Sequence, residues 1–576
     1  MGYMSQKSVR YGVFLPAAVA GLFLLFSCDF FEGAAAPDPV SEPTLPDPGT
    51  HPNPKVVARI NPNGSGVGSV TLRDLSSNDV YLVKVNPSAG LLSGNVAGTA
   101  PGETAPFQAA PVANAGGVRV PAGTVTVGGQ TITRYEMQWQ FDIPPQDLSL
   151  SALPVNRSAV SDYTTANEGD TKSFWVLKNT AGANFVEASA TLKKIGEHCK
   201  IWITNGLFDE AGLPTANDNS VNQGQIDALA EKFDAIYPLE TNLLGYENGG
   251  GPDGDGGADS DPKIQILVYD IDGDFGGTRN GTVLGYFYSI DEYSFNETSD
   301  YKSNEAEIFY LDCEMLDDHP RLIYSTLIHE FNHMINFNVK VIEQPSLSPT
   351  NNPAWYTEML SMLAEDVIGP LAGITAGSEG HVIKERIPSW LSTYANYGVM
   401  QWDNTDALGY YSSNYAFGAY LVRNFGGPAL LSAIAKSPAG GRDSLDESLR
   451  ELNPSVFDSL GKDITPSAYA LTRFGEALVY SGTKPEGVYS FDNNVSDIVG
   501  GKSYTFSRFD IWDMIRLPSD HEAKGPRIYP TSGSDQIKPY GIRVTQDSGW
   551  TNRSDKNFPV IIKGGNAGMY YFVLVK

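Results

Sequence analysis

The spacing of hydrophobic residues divides the chain into three folded regions. Alternating apolar and polar residues, interrupted by Pro, Gly and Asn turns, predict a mostly β domain with a sandwich-like fold over residues 55–150. Residues 151–485 contain apolar strand segments such as KIQILVYDI and AEIFYLD, followed by segments with helical spacing. Alternation returns over residues 486–576 and predicts a C-terminal β domain. The pattern therefore predicts an α+β multidomain protein.

The amino-terminal residues have the pattern of an export signal. Residues 1–27 begin with Lys7 and Arg10 and continue with the apolar run VFLPAAVAGLFLLF, which is typical of a signal peptide. The sequence LFSC resembles a bacterial lipobox, which implies cleavage before Cys28 and a lipid anchor on that residue. The alternative is an ordinary signal peptide cut elsewhere. Residues 28–54, rich in Pro, Ala, Asp and Glu, predict a disordered tether to a membrane.

Charge and cysteine usage agree with a location outside the cytoplasm. The formal net charge of −27 becomes −29 when Lys7 and Arg10 leave with the signal peptide, because no acidic residue leaves with them. Such an acidic surface repels nucleic acid, so we expect no nucleic-acid partner. Cys199 and Cys313 are then the cysteines outside the lipid site. They form either one disulfide or two separately buried thiols. We expect an extracytoplasmic lipoprotein of the bacterial outer membrane or cell surface, anchored or released; the oligomeric state is open.

The strongest chemical motif lies on a predicted helix. Apolar residues recur at helical spacing from Leu322 to Ile335, and Pro320 suits the first turn of a helix. This helix carries His329, Glu330 and His333 in the order HExxH. Positions four apart lie on one helix face, so both imidazoles can bind one metal ion while the glutamate lies beside it. The alternative is a core helix whose histidines are hydrogen-bonded.

A second predicted helix supplies carboxylates. In NNPAWYTEMLSMLAED, Asn352 is a plausible cap and Pro353 a plausible first residue. Catalytic zinc usually has three protein ligands, and Glu358 provides a third one after the two histidines. Glu365 follows seven residues later on the same face, where it could accept the second N–H of a ligating histidine. Both glutamates could instead be ordinary solvated helix residues.

These motifs together resemble the gluzincin metallopeptidases. HExxH followed by Trp355-x-x-Glu358-x6-Glu365 resembles the motif of that clan. The segments HEFNHMINF and WYTEMLSMLAED most resemble those of the hyicolysin family. The resemblance covers roughly residues 200–427. The connection between the motifs is longer than in thermolysin-like enzymes, since Glu358 follows His333 by 25 positions.

The resemblance implies a thermolysin-like core of mixed β-sheet and active-site helices, within a metallopeptidase domain at residues 151–485. It implies His329, His333 and Glu358 as zinc ligands and Glu330 as the general base for a zinc-activated water. It also implies that Glu365 supports a ligating histidine without binding the metal itself. The implied substrates are extracytoplasmic proteins or peptides. The sequence shows no strong signature for recognising a free amino terminus, so we expect an endopeptidase.

A tyrosine is implied as an additional catalytic residue. Tyr415-Ala-Phe-Gly418 resembles the Tyr-x-x-Gly of the aminopeptidase N group, in which the tyrosine hydroxyl stabilises the developing oxyanion. Tyr410, Tyr411 and His381 are the other candidates for this role.

Two acidic loops suggest a second metal. Aspartates separated by glycines can wrap Ca²⁺ through their oxygen atoms, although the same residues also form ordinary turns. The candidate calcium ligands are Asp253, Asp255, Asp259, Asp261, Asp270, Asp272 and Asp274.

A different class of function also fits this organisation. Large β domains on a lipid tether are compatible with an adhesin-like surface protein that binds a macromolecule and has a structural or vestigial metal site. The complete set of Glu330 and three ligands favours the peptidase, since a binding protein has no need of a general base.

Overall fold

A computed structural model of the 576-residue chain describes most of residues 162–576 and a smaller part before them. The predicted signal peptide, Cys28, the tether, Asp272 and Asp274 lie outside the described residues, as does much of the region 55–150. The described residues are 58–90, 92–95, 124–127, 130–133, 162–179, 184–209, 220–271, 283–293, 302–344, 352–403, 406–458, 464–482, 489–516, 523–531, 534–566 and 568–576.

Strands and helices are numbered here in chain order. The strands are β1 (Ala58–Ile60), β2 (Gly68–Arg73), β3 (Val80–Val85), β4 (Leu92–Asn95), β5 (Thr124–Val127), β6 (Gln130–Thr133), β7 (Thr171–Asn179), β8 (Asn184–Ile195), β9 (Cys199–Thr204), β10 (Phe208–Asp209), β11 (Val221–Asn222), β12 (Ile264–Tyr269), β13 (Gly285–Phe287), β14 (Ile308–Asp312), β15 (Val495–Val499), β16 (Lys502–Phe506), β17 (Ser534–Ile537), β18 (Ile542–Thr545), β19 (Asn557–Ile562) and β20 (Tyr570–Val575). The helices are α1 (Asp162–Thr165), α2 (Gln223–Leu244), α3 (Cys313–Asp318), α4 (Pro320–Phe337), α5 (Ala354–Ile368), α6 (Val382–Thr393), α7 (Ala407–Phe425), α8 (Gly427–Lys436), α9 (Gly441–Leu452), α10 (Pro454–Phe457) and α11 (Pro466–Tyr480).

A mixed six-stranded sheet precedes the helical part of the chain. Its order is β13-β14-β12-β9-β8-β7, with β9, β12 and β14 parallel and the outer strands antiparallel. Every residue of β12 and β14 is buried, as continuous apolar runs in central strands predict. One face of the sheet packs with α2 and α4 in the main core, and the other face belongs to a second apolar cluster around Trp202. The α+β prediction is therefore confirmed.

Helices α4 and α5 pack against each other and against the sheet. Pro320 is the first residue of α4, as its position in the sequence predicts, and Asn338–Ile342 continue that helix as one π-helical segment. All fifteen residues of α5 are buried, because α4 and α7 cover it from different sides. The two motif-bearing helices thus lie in the interior of the domain.

Strands from the two ends of the chain share one sheet. Its order is β1-β20-β3-β18, and β3 pairs antiparallel with both β20 and β18. The sequence assigned these strands to separate N- and C-terminal β domains, whereas the structure pairs them with each other. Helix α11 packs on this sheet at Gly475, where a Cβ atom would lie 2.3 Å from Val83 Cγ1. All described residues fall within one compact unit.

Two further expectations concern membranes and thiols. Throughout the described ranges, the helices are too short or too polar to cross a lipid bilayer. Cys199 and Cys313 are free and buried, so of the two alternatives the structure shows two separate thiols. Burial raises the pKa of both thiols, which disfavours their reactive thiolate form.

Candidate active site

Two histidines and one glutamate converge between α4 and α5. His329 and His333 lie one helical turn apart, with their ring centroids separated by 4.8 Å. Glu358 Oε2, from α5, lies 3.1 Å from His329 Nε2 and 3.5 Å from His333 Nε2. Within the part of the chain that the structure describes, these three residues form the one group of His, Cys, Asp or Glu with ligand atoms close enough to share a metal ion.

The spacing of these donor atoms fits zinc. Zinc bound tetrahedrally at about 2.0–2.1 Å has ligand atoms about 3.3 Å from one another. The distances of 3.1 and 3.5 Å from Glu358 Oε2 to the two Nε2 atoms lie on either side of that value. Two imidazole nitrogens and one carboxylate oxygen are also a donor set that catalytic zinc takes, with a fourth position left for water or substrate.

The carboxylate of Glu358 is ionised in this setting. Burial opposes its charge, but His333 and His329 outweigh that effect and lower the pKa of Glu358 to about 2. An ionised carboxylate is the form that ligates a metal, so the group is prepared for a cation.

Glu365 lies behind His329 on the side away from Glu358. Its Oε1 is 2.7 Å from His329 Nδ1, so the carboxylate accepts the Nδ1 proton and leaves the Nε2 lone pair facing Glu358. Ser325 Oγ donates a hydrogen bond of 2.6 Å to the other oxygen of Glu365. Sequence reasoning missed Ser325, although its position four residues before His329 places it on the same helix face.

Glu330 is held in place by edge strand β13 of the sheet. The Phe287 N–H of β13 donates to Glu330 Oε2 at 2.9 Å. Burial raises the pKa of Glu330, while His329 and His333 counteract part of that effect. The general-base candidate is therefore a buried carboxylate with one oxygen fixed by a backbone amide.

The candidate tyrosines lie at different levels of α7. Tyr415 donates its hydroxyl to Asp366 Oδ2 at 2.9 Å, and Arg423 Nη2 lies 3.1 and 2.8 Å from the two oxygens of that aspartate. This buried network commits the Tyr415 hydroxyl to Asp366. Tyr411, one turn earlier, has its ring centroid 6.4 Å from that of His329, and burial together with the nearby Glu358 raises the pKa of its hydroxyl well above the usual range.

The other two candidates for oxyanion stabilisation, Tyr410 and His381, contact different groups. Tyr410 packs edge-on against Tyr397 with their centroids 5.1 Å apart. His381 precedes α6, where its Nδ1 accepts the Ile383 N–H at 3.2 Å. Arg386 of α6 places its guanidinium 5.0 Å from the Tyr411 ring centroid, so a positive charge lies beside that tyrosine.

Polar side chains also join α4 to α5, and to Asn352 just before α5, beyond the metal-binding group. Asn332 Nδ2 donates to Ser361 Oγ at 2.8 Å, and Asn352 Nδ2 donates to Asn336 Oδ1 at 2.8 Å. Because these contacts are buried, they fix how the two helices lie against each other. The sequence indicated none of these pairs.

Those predicted calcium ligands that the structure describes do not come together as a metal site. Asp261 is paired with Lys200 Nζ at 2.6 Å, and Asp259 accepts hydrogen bonds from the Asp261 N–H and from Gln265. Burial raises the pKa of Asp259 well above its usual range, which favours the neutral carboxyl. Among the described aspartates no group with metal-ligand spacing is found, so calcium is not supported.

Comparison with known proteins agrees with this geometry. Residues 214–486 match the Peptidase M30 family. The matched segment includes all of α2 to α11, and with them the motif-bearing helices α4 and α5.

One curated relative is also similar to this chain. Neutral metalloprotease ShpI of Staphylococcus hyicus is 28% identical over 333 residues, which cover 55% of this chain and 67% of the relative. The two matches support a hyicolysin-like metallopeptidase. They favour that prediction over a protein that only binds macromolecules.

Proposed function

We propose that this chain is a zinc-dependent metallopeptidase that hydrolyses peptide bonds of extracytoplasmic proteins or peptides. The observation that carries the proposal is the convergence of His329, His333 and Glu358 in one buried group. Glu330 accompanies that group on the same helix, as a catalytic site requires and a structural metal site does not.

The proposed ligands are His329 Nε2, His333 Nε2 and a carboxylate oxygen of Glu358. A zinc ion bound there would polarise the scissile carbonyl and make a water molecule more acidic. Glu330 takes a proton from the attacking water and delivers it to the leaving amine, while the water oxygen bonds to the carbonyl carbon and the C–N bond breaks. Glu365 keeps His329 in the tautomer that has a free Nε2 lone pair.

Tyr411 is the better-supported donor to the developing oxyanion. Its ring centroid lies 6.4 Å from that of His329, beside Glu358, whereas the Tyr415 hydroxyl is committed to Asp366 at 2.9 Å. A phenol beside the ligands can donate a strong hydrogen bond where negative charge develops. We therefore assign the oxyanion role to Tyr411 and a structural role to Tyr415.

The proposal also includes endopeptidase activity and the anchoring of the chain as an extracytoplasmic lipoprotein. The lipobox-like LFSC at Cys28 supports the anchor, and the acidic composition supports a location outside the cytoplasm. Casein is a suitable first substrate because it offers many unstructured internal peptide bonds.

The test measures zinc content and casein hydrolysis for the purified chain and two variants. We expect about one zinc per chain and hydrolysis by the wild type, with E330Q keeping the metal and losing turnover. H333A should lose both metal and activity, because it removes a ligand. Hydrolysis by either variant at the wild-type rate, or a wild-type chain that binds no zinc, would refute the assignment.

A further inference from the structure

The edge strand β13 approaches the metal-binding helix unusually closely at one glycine. Gly285 has no Cβ, and a Cβ built there would lie 2.7 Å from Thr326 Cγ2 and 2.7 Å from the Tyr310 carbonyl oxygen. Both distances are shorter than normal carbon contacts, and one of the atoms belongs to the backbone. A larger residue would therefore push β13 away from α4.

A second contact follows one step further along both elements. Phe287 is two residues after Gly285 on the strand, and Glu330 is four residues after Thr326 on the helix. Two strand residues span about 6.8 Å. One helical turn of four residues rises about 6 Å. The two contacts are therefore separated by similar distances along the strand and along the helix. At the second contact, the Phe287 N–H donates to Glu330 Oε2 at 2.9 Å.

We propose that the Phe287 amide is the group that positions Glu330 for catalysis, and that Gly285 is required because it lets β13 come close enough. This inference rests on the proposed peptidase function. A carboxylate on a long side chain has several rotamers, and a backbone donor selects one of them without being able to rotate away. With Oε2 held by the amide, Oε1 is the oxygen left to accept the proton of water.

The position of Phe287 in the sheet allows its amide to be removed selectively. Phe287 lies opposite Phe309 on an edge strand, and its N–H points to Glu330. Proline lacks the N–H and is tolerated on edge strands where no ladder bond is lost. F287P therefore removes the proposed contact, and F287A is the matched control, since it also loses the ring beside Phe337 but keeps the amide.

Kinetics of the two variants test the catalytic part of the inference. We expect kcat of F287P to be about 10- to 100-fold below that of F287A, because a general base displaced by about 1 Å loses a comparable factor. KM and zinc content should be equal in the two variants. Hydrolysis by the wild type together with equal kcat values for F287P and F287A would overturn the inference alone. A wild-type chain without any hydrolysis would reject the proposed function and this inference with it.

Hydrogen exchange tests the contact independently of activity. In the full-length chain, mass spectrometry of a peptide covering residues 283–293 reports the protection of the Phe287 amide. E330A removes the acceptor and should speed exchange of one amide in that peptide, whereas E330Q keeps a carbonyl oxygen and should exchange at close to the wild-type rate. Identical exchange in wild type and E330A would overturn the inference.

Discussion

Ser325 and His329 hydrogen-bond the same carboxylate: Ser325 Oγ lies 2.6 Å from Glu365 Oε2, and His329 Nδ1 lies 2.7 Å from Glu365 Oε1. Both residues are on one face of α4, and Glu365 reaches them from α5. The carboxylate is thereby locked in the plane that keeps the His329 Nε2 lone pair aimed at Glu358.

This relationship predicts that S325A weakens zinc binding although Ser325 is not a ligand. Ser325 acts on the proposed ligand His329 only through Glu365. Loss of the Ser325 hydroxyl frees the Glu365 carboxylate to rotate, so we expect about tenfold weaker zinc affinity. Competition with a chromophoric chelator measures the change. S361A is the matched control, since it breaks the α4–α5 contact to Asn332 and leaves Glu365 untouched. Equal affinities in S325A and S361A would contradict the role given to Ser325.

The two tyrosines of α7 should respond in opposite ways to loss of the hydroxyl. Y411F should lower kcat about 100-fold with zinc content retained, because it removes the proposed oxyanion donor. Y415F leaves the buried Asp366 short of a donor and should cost about 1–3 kcal/mol of stability while kcat changes little. Casein kinetics and thermal unfolding of both variants provide the measurements. The reverse pattern would return the oxyanion role to Tyr415.

Asp291 should make stability depend on pH. Burial raises its pKa to about 7, against the hydrogen bonds from Tyr310 and Asn304. Between pH 4 and 7 the folded chain therefore holds a proton that the unfolded chain releases, so the contribution of Asp291 to stability falls as pH rises through that window. D291N should reduce this slope by about 1 kcal/mol per pH unit. Urea unfolding at several pH values tests this; unchanged slopes would contradict it.

Metal removal should lower thermal stability. A ligand that binds only the folded state, at a concentration 100 times its Kd, stabilises by about 2.7 kcal/mol. We therefore expect chelator treatment to lower the unfolding midpoint and zinc to restore it. H329A/H333A is the control: without its two imidazole ligands it should show no zinc-dependent shift. A similar shift in that variant would place the metal elsewhere.

Strand pairing across the whole chain could not be foreseen. Alternation identified strands near both ends, yet β3 pairs with β18 and β20, more than 450 residues away in sequence. Local patterns specify that a segment is a strand and which face it buries, but they do not name its partner. The two predicted terminal β domains consequently supply strands to one shared sheet.

Helix periodicity made one part of the site predictable from the amino-acid sequence. Four-residue spacing was sufficient to bring His329 and His333 onto one face of α4, and α5 supplied Glu358 as the next suitable donor. Which groups meet that face of α4 depends on how distant segments pack together. Tyr411 and Tyr415 differ by only about 40° around α7, so the axial level of that helix selects between them. The Phe287 amide reaches Glu330 because the absence of a side chain at Gly285 lets a distant strand approach, and no local pattern reports such a contact.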